Sequence, residues 1–193
     1  MLIAVGGLVA SGKSSVARAT ARALDAQHFE ADAVRDEILH IESGQAAHEA
    51  AWPDNLAPGV SDRIYREMLD RARRSLLAGG SSVVDGCFAR RSQRDAARAI
   101  AHGCDSRFLF VECCTSRAVL ERRLRARSLE VGVRQTAWLA LLDRIESRWE
   151  PVTELAADEY LPVDSARPLA SIVDDVLANL SRPSALAAPG CGS

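Results

Sequence analysis

The chain has 193 residues, nearly half of them apolar, few aromatic, and a net charge of −2. Such a chain suits one domain with a single core. Its abundant alanine and leucine favour helices on a small sheet over a β-sandwich. The near-neutral balance argues against the broad basic face that long nucleic acids require, while leaving room for a short basic groove. Arginine carries almost all the positive charge, and Lys13 is the only lysine. A compact ammonium kept in so arginine-rich a chain points to a position where arginine does not substitute.

The first predicted element is an apolar strand, Leu2 to Val5, running into Gly6-Gly7. Gly7-Leu8-Val9-Ala10-Ser11-Gly12-Lys13-Ser14 then fits G-x-x-x-x-G-K-[ST] without a mismatch, between a strand and a helix as the motif demands. Its glycines let backbone N–H groups wrap a phosphate at a helix N-terminus, with Ser15 in that first turn. Lys13 is expected to reach the β- and γ-phosphates of ATP and Ser14 to hold Mg²⁺. The helix covers Ser14 to Leu24. A weak strand, Gln27 to Ala31, follows. Asp32 stands where a cap would stand before a helix over Ala33 to Ile41.

Asp32 has two readings. It is either a base that accepts or orients an incoming hydroxyl, or a helix cap paired with Arg35 one turn later. Arg35 correspondingly binds an anionic group or holds Asp32. Residues 43–60 hold Gly44, Trp52, Pro53, Pro58 and Gly59 and read as a loop or irregular insertion. Asp62 to Ala78 is an amphipathic helix ended by Gly79-Gly80, and it carries Tyr65. Ser81 to Val84 is a third strand. Asp85 after it is either a magnesium-associated carboxylate or a turn residue before Gly86.

Arg90 to Ala101 is the next helix and Phe108 to Cys113 the fourth strand. In the arginine-dense helix Ser116 to Arg127, a core-facing Leu120 puts Arg123 and Arg127 on its own face and turns Arg122 and Arg125 away. Arg123 and Arg127 are therefore candidates to neutralise phosphate charge. Ser128 to Arg134, with Gly132, reads as a break and a candidate lid. Gln135 to Trp149 is helical, Tyr160 to Val163 a last strand and Pro168 to Leu180 a last helix. The expected unit spans residues 1–180, with a disordered tail over 181–193.

Alternating strands and helices predict a three-layer α/β sandwich: a mainly parallel five-stranded sheet with a helical lid. Ligands then gather at the carboxyl ends of the strands, where Gly7, Asp32 and Asp85 fall. His28, His40, His48 and His102 show no metal or triad spacing and read as surface or loop residues. Cys87, Cys104, Cys113, Cys114 and Cys191 contain no C-x-x-C pair, which argues against zinc and for reduced thiols. No leader or spanning segment is visible, so the expected location is cytoplasmic, away from membranes.

The pattern Gly7 to Ser14, Ala-Asp32-Ala-Val-Arg35, Val-Val-Asp85-Gly-Cys-Phe, Arg123-Leu-x-x-Arg127 and Leu-Pro-Val-Asp164 resembles the small P-loop kinases classed with AAA-type ATPases. The resemblance covers about residues 2–165. It extends more distantly to phage polynucleotide kinase, chloramphenicol phosphotransferase and zeta toxins. It implies phosphoryl transfer from ATP to a hydroxyl, with Asp32 as base, Arg35 on the acceptor side, Arg123 and Arg127 as lid arginines, and Asp164 and Arg167 near the adenine. Residues 43–60 match nothing in that pattern, and Ser81-Ser82 dilutes the apolar run before Asp85. The expectation is a kinase for a small-molecule hydroxyl. A polynucleotide 5′-hydroxyl kinase, a toxin-like nucleotide-sugar kinase and a nucleotide-dependent binding module without an acceptor are the alternatives.

Overall fold

The computed structural model describes residues 1–39, 59–131 and 135–182. In chain order its elements are β1 (Leu2–Gly6), α1 (Lys13–Ala23), β2 (Gln27–Glu30), α2 (Ala31–Leu39), α3 (Val60–Leu77) and β3 (Ser82–Asp85). They continue with α4 (Arg91–Gly103), β4 (Phe108–Cys114), α5 (Arg117–Val131), α6 (Gln135–Glu146), β5 (Tyr160–Asp164) and α7 (Leu169–Leu180). The strands form one sheet in the order β2-β3-β1-β4-β5, and every neighbouring pair is parallel.

A strand buried on both faces must be apolar on both, and β1 is buried at every position. The period of two divides the strands between two helical layers. Ala4, Val84 and Phe110 pack with Met68 and Ala72 of α3 and Ala97 and Ala101 of α4. Ile3, Val83, Leu109 and Val111 pack with Val16 and Ala17 of α1 and Ile172 and Val176 of α7. Each fully buried aliphatic side chain contributes about 1.5–3 kcal/mol. A third cluster joins Val9 of the glycine loop to Leu120 and Leu124 of α5 and Trp138 and Leu142 of α6. The α5–α6 hairpin therefore rests directly on the loop that follows β1.

The chain moves from β1 to one side of the sheet for β2 and β3, then to the other for β4 and β5. The crevice at such a reversal, outside the carboxyl ends, is where α/β sheets bind ligands. Gly6 and Gly7 lie at that end of β1.

The expected boundaries shift in informative places. α2 starts at Ala31 with no intervening loop, so Asp32 lies inside its first turn instead of capping it. α5 continues through Ser128 to Val131, so the expected break after Arg127 is helical for another turn. α6 stops at Glu146 instead of Trp149. The expected insertion over 43–60 with Trp52, the histidines His40 and His48, residues 132–134 of the expected lid and the expected tail from 183 lie largely or wholly outside the described residues; Gly59 caps α3 in the left-handed conformation.

Candidate active site

The loop between β1 and α1 is shaped by its backbone. Gly7 has φ 143° and Gly12 φ 90°, and between them Ala10 has φ 61°. At Gly7 a Cβ would lie 2.6 Å from Ser11 Oγ and 2.7 Å from the Cys113 carbonyl oxygen, so glycine is required sterically as well as conformationally. Gly12 caps α1 with no side-chain hydrogen bond, and α1 has no acidic residue in its first turn. The helix thus presents amide hydrogens and the positive end of its dipole with no internal anion to quench them. Such an end suits an anion such as phosphate.

Lys13 stays charged there. Burial alone would lower its pKa, but the fields of Cys87, Asp85 and Asp32 outweigh burial and the opposing Arg127, and the net direction is upward. Burial also raises the Cys87 thiol above its ordinary value, so near neutral pH that thiol is uncharged. Asp85 and Asp32 are then the anions Lys13 feels.

Asp85 ends β3 and is 1% exposed. Neither of its oxygens has a hydrogen-bond partner among the described residues. Burial pushes its pKa up to about 6 against the pull of Lys13 and Ser14, with Glu30 and Asp32 adding to the rise. A buried carboxylate without partners is costly unless a cation completes it. The hard oxygens of Asp85 and Ser14 fit Mg²⁺, which favours a carboxylate or two plus phosphate oxygens.

Asp32 differs sharply. Its side chain is 60% exposed and accepts a 2.7 Å bond from Arg35 Nη1. Arg35 turns Nε and Nη2 onto Asp36 at 3.0 and 2.8 Å. Both readings of the pair are therefore compatible with one geometry: an ion pair in the first turn of a helix, opening onto the cleft where Lys13 senses its charge.

The arginine helix sorts as its periodicity predicts except at Arg127, which is exposed like Arg122 and Arg125, while Arg123 is half-buried. Leu120 and Leu124 are buried, and Arg122 and Arg125 are exposed. Arg123 donates from Nη1 to the Ala10 carbonyl at 3.2 Å and to Ser165 Oγ at 3.4 Å, and from Nη2 to the Ser165 carbonyl at 2.8 Å. It clips the glycine loop to the loop after β5. Arg127 lies 4.7 Å over the Trp138 ring and close enough to repel Lys13. Arg167 bonds Asp175 of α7 at 2.6 Å, on the outer surface of that helix.

Sequence reasoning missed four residues here. Glu30, in register with Asp85, adds a carboxylate to the same sheet edge; a second acidic residue two before Asp32 was the available signal. His28 is a strand residue, not a loop one, and its Nε2 lies 3.9 Å from Asp85. Burial lowers its pKa, so it is neutral at neutral pH. Arg94 and Glu154 form a 2.5 Å pair whose side chains are 0% and 1% exposed. Arg94 also donates to the Phe88 carbonyl at 3.0 Å. Phe88 holds φ 51° and gives its N–H to the Tyr65 hydroxyl at 2.8 Å. No local pattern announces a pair sixty residues apart.

The model for the AAA domain family matches residues 2–152. The chain belongs to that family. Uncharacterised proteins of Mycobacterium tuberculosis and Mycobacterium bovis are 31% identical over 132 residues. The match covers 66% of this chain and 26% of theirs, so the chain spans about a quarter of those relatives. Among solved structures, a gluconokinase from Sinorhizobium meliloti 1021 is 27% identical over 93% of this chain and 90% of its own, with a TM-score of 0.63. A shikimate kinase from Aquifex aeolicus shares the fold at 14% identity, over 93% of this chain and 96% of its own, with a TM-score of 0.57. This AAA-family chain is thus a small P-loop kinase-type protein. No described helix is long and apolar enough to cross a membrane.

Proposed function

We propose that this protein transfers the γ-phosphate of ATP to a hydroxyl of a small-molecule acceptor. The observation that carries the reading is the convergence on Lys13 of two carboxylates in opposite environments, Asp85 buried at the end of β3 and Asp32 exposed in the first turn of α2 and paired with Arg35. The backbone of Gly7 to Ser15 holds the phosphates, and Lys13 stabilises charge on the β- and γ-oxygens. Asp85 and Ser14 hold Mg²⁺, which when bound neutralises phosphate charge. Asp32 accepts the acceptor's hydroxyl proton as its oxygen bonds to phosphorus and ADP leaves with the bridging electron pair. Arg127 adds positive charge from the lid. Free Cys87, Cys104, Cys113 and Cys114 suit the reducing cytoplasm, where ATP is available.

The test is ADP release across sugars, aminoglycosides, nucleosides and short oligonucleotides, with Asp32→Asn beside the wild type. Acceptor-stimulated turnover is expected, falling about 10²–10⁴-fold in the variant while ATP affinity holds. Slow ATP hydrolysis that no acceptor stimulates would favour a binding module. Turnover restricted to oligonucleotides would favour a polynucleotide kinase. Normal transfer by Asp32→Asn would remove Asp32 from the chemistry.

A further inference from the structure

The row of side chains beneath α1 contains one residue out of character. Register aligns His28, Val83, Ile3 and Leu109 across β2, β3, β1 and β4. Val83, Ile3 and Leu109 are fully buried in the core shared with α1 and α7. An imidazole stands where the row would take a fourth aliphatic side chain. β2 is an edge strand, where a polar side chain can reach water, but the His28 side chain is only 20% exposed. Its Nε2 is buried, with no hydrogen-bond partner among the described residues. A buried ring nitrogen without a partner is costly, and each one calls for an explanation. The alternation of β3 puts Asp85 on the same face as Val83, two residues further along. Nε2 of His28 accordingly lies 3.9 Å from Asp85 Oδ2. Glu30, in register with Asp85, and Arg18 of α1 are the other charged groups that act on the ring.

We propose that His28 is a positioning residue for the metal-binding carboxylate, donating from Nε2 to one oxygen of Asp85 and leaving the other to Mg²⁺. The inference rests on the assignment of Asp85 to Mg²⁺ and deepens it. Burial keeps the imidazole neutral, so it has one N–H to give and adds no charge to compete with the cation. The 3.9 Å separation exceeds hydrogen-bond range by about 1 Å, a gap that a turn of either side chain spans. A carboxylate ligates a cation best when its other oxygen is held, because that bond fixes its orientation before the cation arrives. His28 acts through Asp85 and not on the phosphates.

The experiment measures binding of a non-hydrolysable ATP analogue to the full chain by calorimetry, first in EDTA and then over a Mg²⁺ series. His28→Phe, which keeps a ring and removes the donor, should raise the Mg²⁺ concentration at half-effect by about ten- to a hundredfold. Affinity in EDTA should stay at the wild-type value. His28→Gln, which retains an N–H donor, should recover most of the Mg²⁺ dependence. In an Asp85→Asn background, His28→Phe should change nothing further. His28→Ala serves if the phenylalanine variant is poorly folded. Unchanged Mg²⁺ dependence in His28→Phe, with loss in Asp85→Asn, would overturn the positioning role alone. Equal losses with and without Mg²⁺ would overturn it too, since they would mark His28 as merely structural. Wild-type Mg²⁺ dependence in Asp85→Asn would take the metal assignment down together with the proposal. Absence of acceptor-stimulated ADP release would retire phosphoryl transfer without touching the Mg²⁺ results, which decide His28 on their own.

Discussion

The two sides of the cleft are built by different means. The donor floor is backbone: left-handed glycines, uncapped amides and a helix dipole, with Val9 buried under α5 and α6. The acceptor wall is side chains held by other side chains: Tyr65 on Phe88, Phe88 on Arg94, Arg94 on Glu154, and Arg35 between two aspartates. A triphosphate is the same in every kinase and can be gripped by main-chain N–H groups whose spacing a short motif encodes. An acceptor differs from kinase to kinase, so its wall is assembled from positions far apart in sequence. Substitutions that strike one side alone test this division.

The largest effect on the acceptor wall is expected from Arg94→Met. It leaves Glu154 buried without its cation, which costs about 3–5 kcal/mol and should lower the melting temperature by roughly 10 °C. Burial alone would raise the Glu154 pKa, but the Arg94 bonds hold it below the ordinary glutamate range. The pair's contribution is therefore complete above the unfolded glutamate pKa and lost as pH falls through the lower folded value; Arg94→Met should flatten that acid limb. The division predicts that surviving folded protein binds ATP normally while acceptor KM rises. Equal loss of ATP affinity would mean that the two sides are mechanically one.

The same division explains what was legible in sequence. The parallel sheet, the helix order and the phosphate loop were readable because each is local: an apolar run, a 3.6-residue stripe, a fixed glycine spacing. The face of α5 was readable in part: Arg123 turns toward the buried stripe as implied, whereas Arg127 is exposed and lies over Trp138. What Arg123 touches was not readable, because Ala10 and Ser165 reach it only through tertiary packing. Asp32 and Asp85 looked alike, each an aspartate at or just beyond a predicted strand end. Their difference arises from position: β3 is flanked by β1 and β2, whereas α2 begins at the sheet edge. The Arg94–Glu154 pair left no trace, since an arginine on an amphipathic helix ordinarily faces water.

An intermediate effect, of opposite sign for stability and function, is expected from Asp85→Asn. Asp85 titrates at about 6 in the folded protein, above its ordinary 3.8. A raised acid pKa means that the folded state disfavours the charged form, a cost fully present above pH 6 and absent below about pH 4, where both states are protonated. Without metal, Asp85→Asn should stabilise the fold at pH 7.5 by on the order of 2 kcal/mol, and the gain should vanish as the pH approaches 4. Mg²⁺-dependent ATP affinity should fall in the same variant. In the wild type it should weaken as pH drops through 6, with proton release on binding. A variant that is neither more stable nor impaired in Mg²⁺-dependent binding would put Asp85 outside the donor site.

The smallest effect probes the clip that joins the donor floor to the β5–α7 loop. Arg123→Met removes the bonds to Ala10 and Ser165 but leaves the loop's left-handed backbone and the apolar contact of Val9 in place. If Arg123 acts mainly by holding Ala10 and Ser165, ATP KM should rise about tenfold, the equivalent of about 1.4 kcal/mol, with kcat retained. Arg123→Lys should then rescue poorly, because an ammonium cannot span two carbonyls as a fork does. If Arg123 instead lends its charge to the transferring phosphoryl group, kcat should fall and lysine should recover much of it. Arg127→Met supplies the contrast: stacked on Trp138 and within the field of Lys13, it should lower kcat more than it raises KM. Matching KM and kcat patterns in the two variants would dissolve the distinction between clip and charge, and with it the claim that the donor side is held by backbone geometry first.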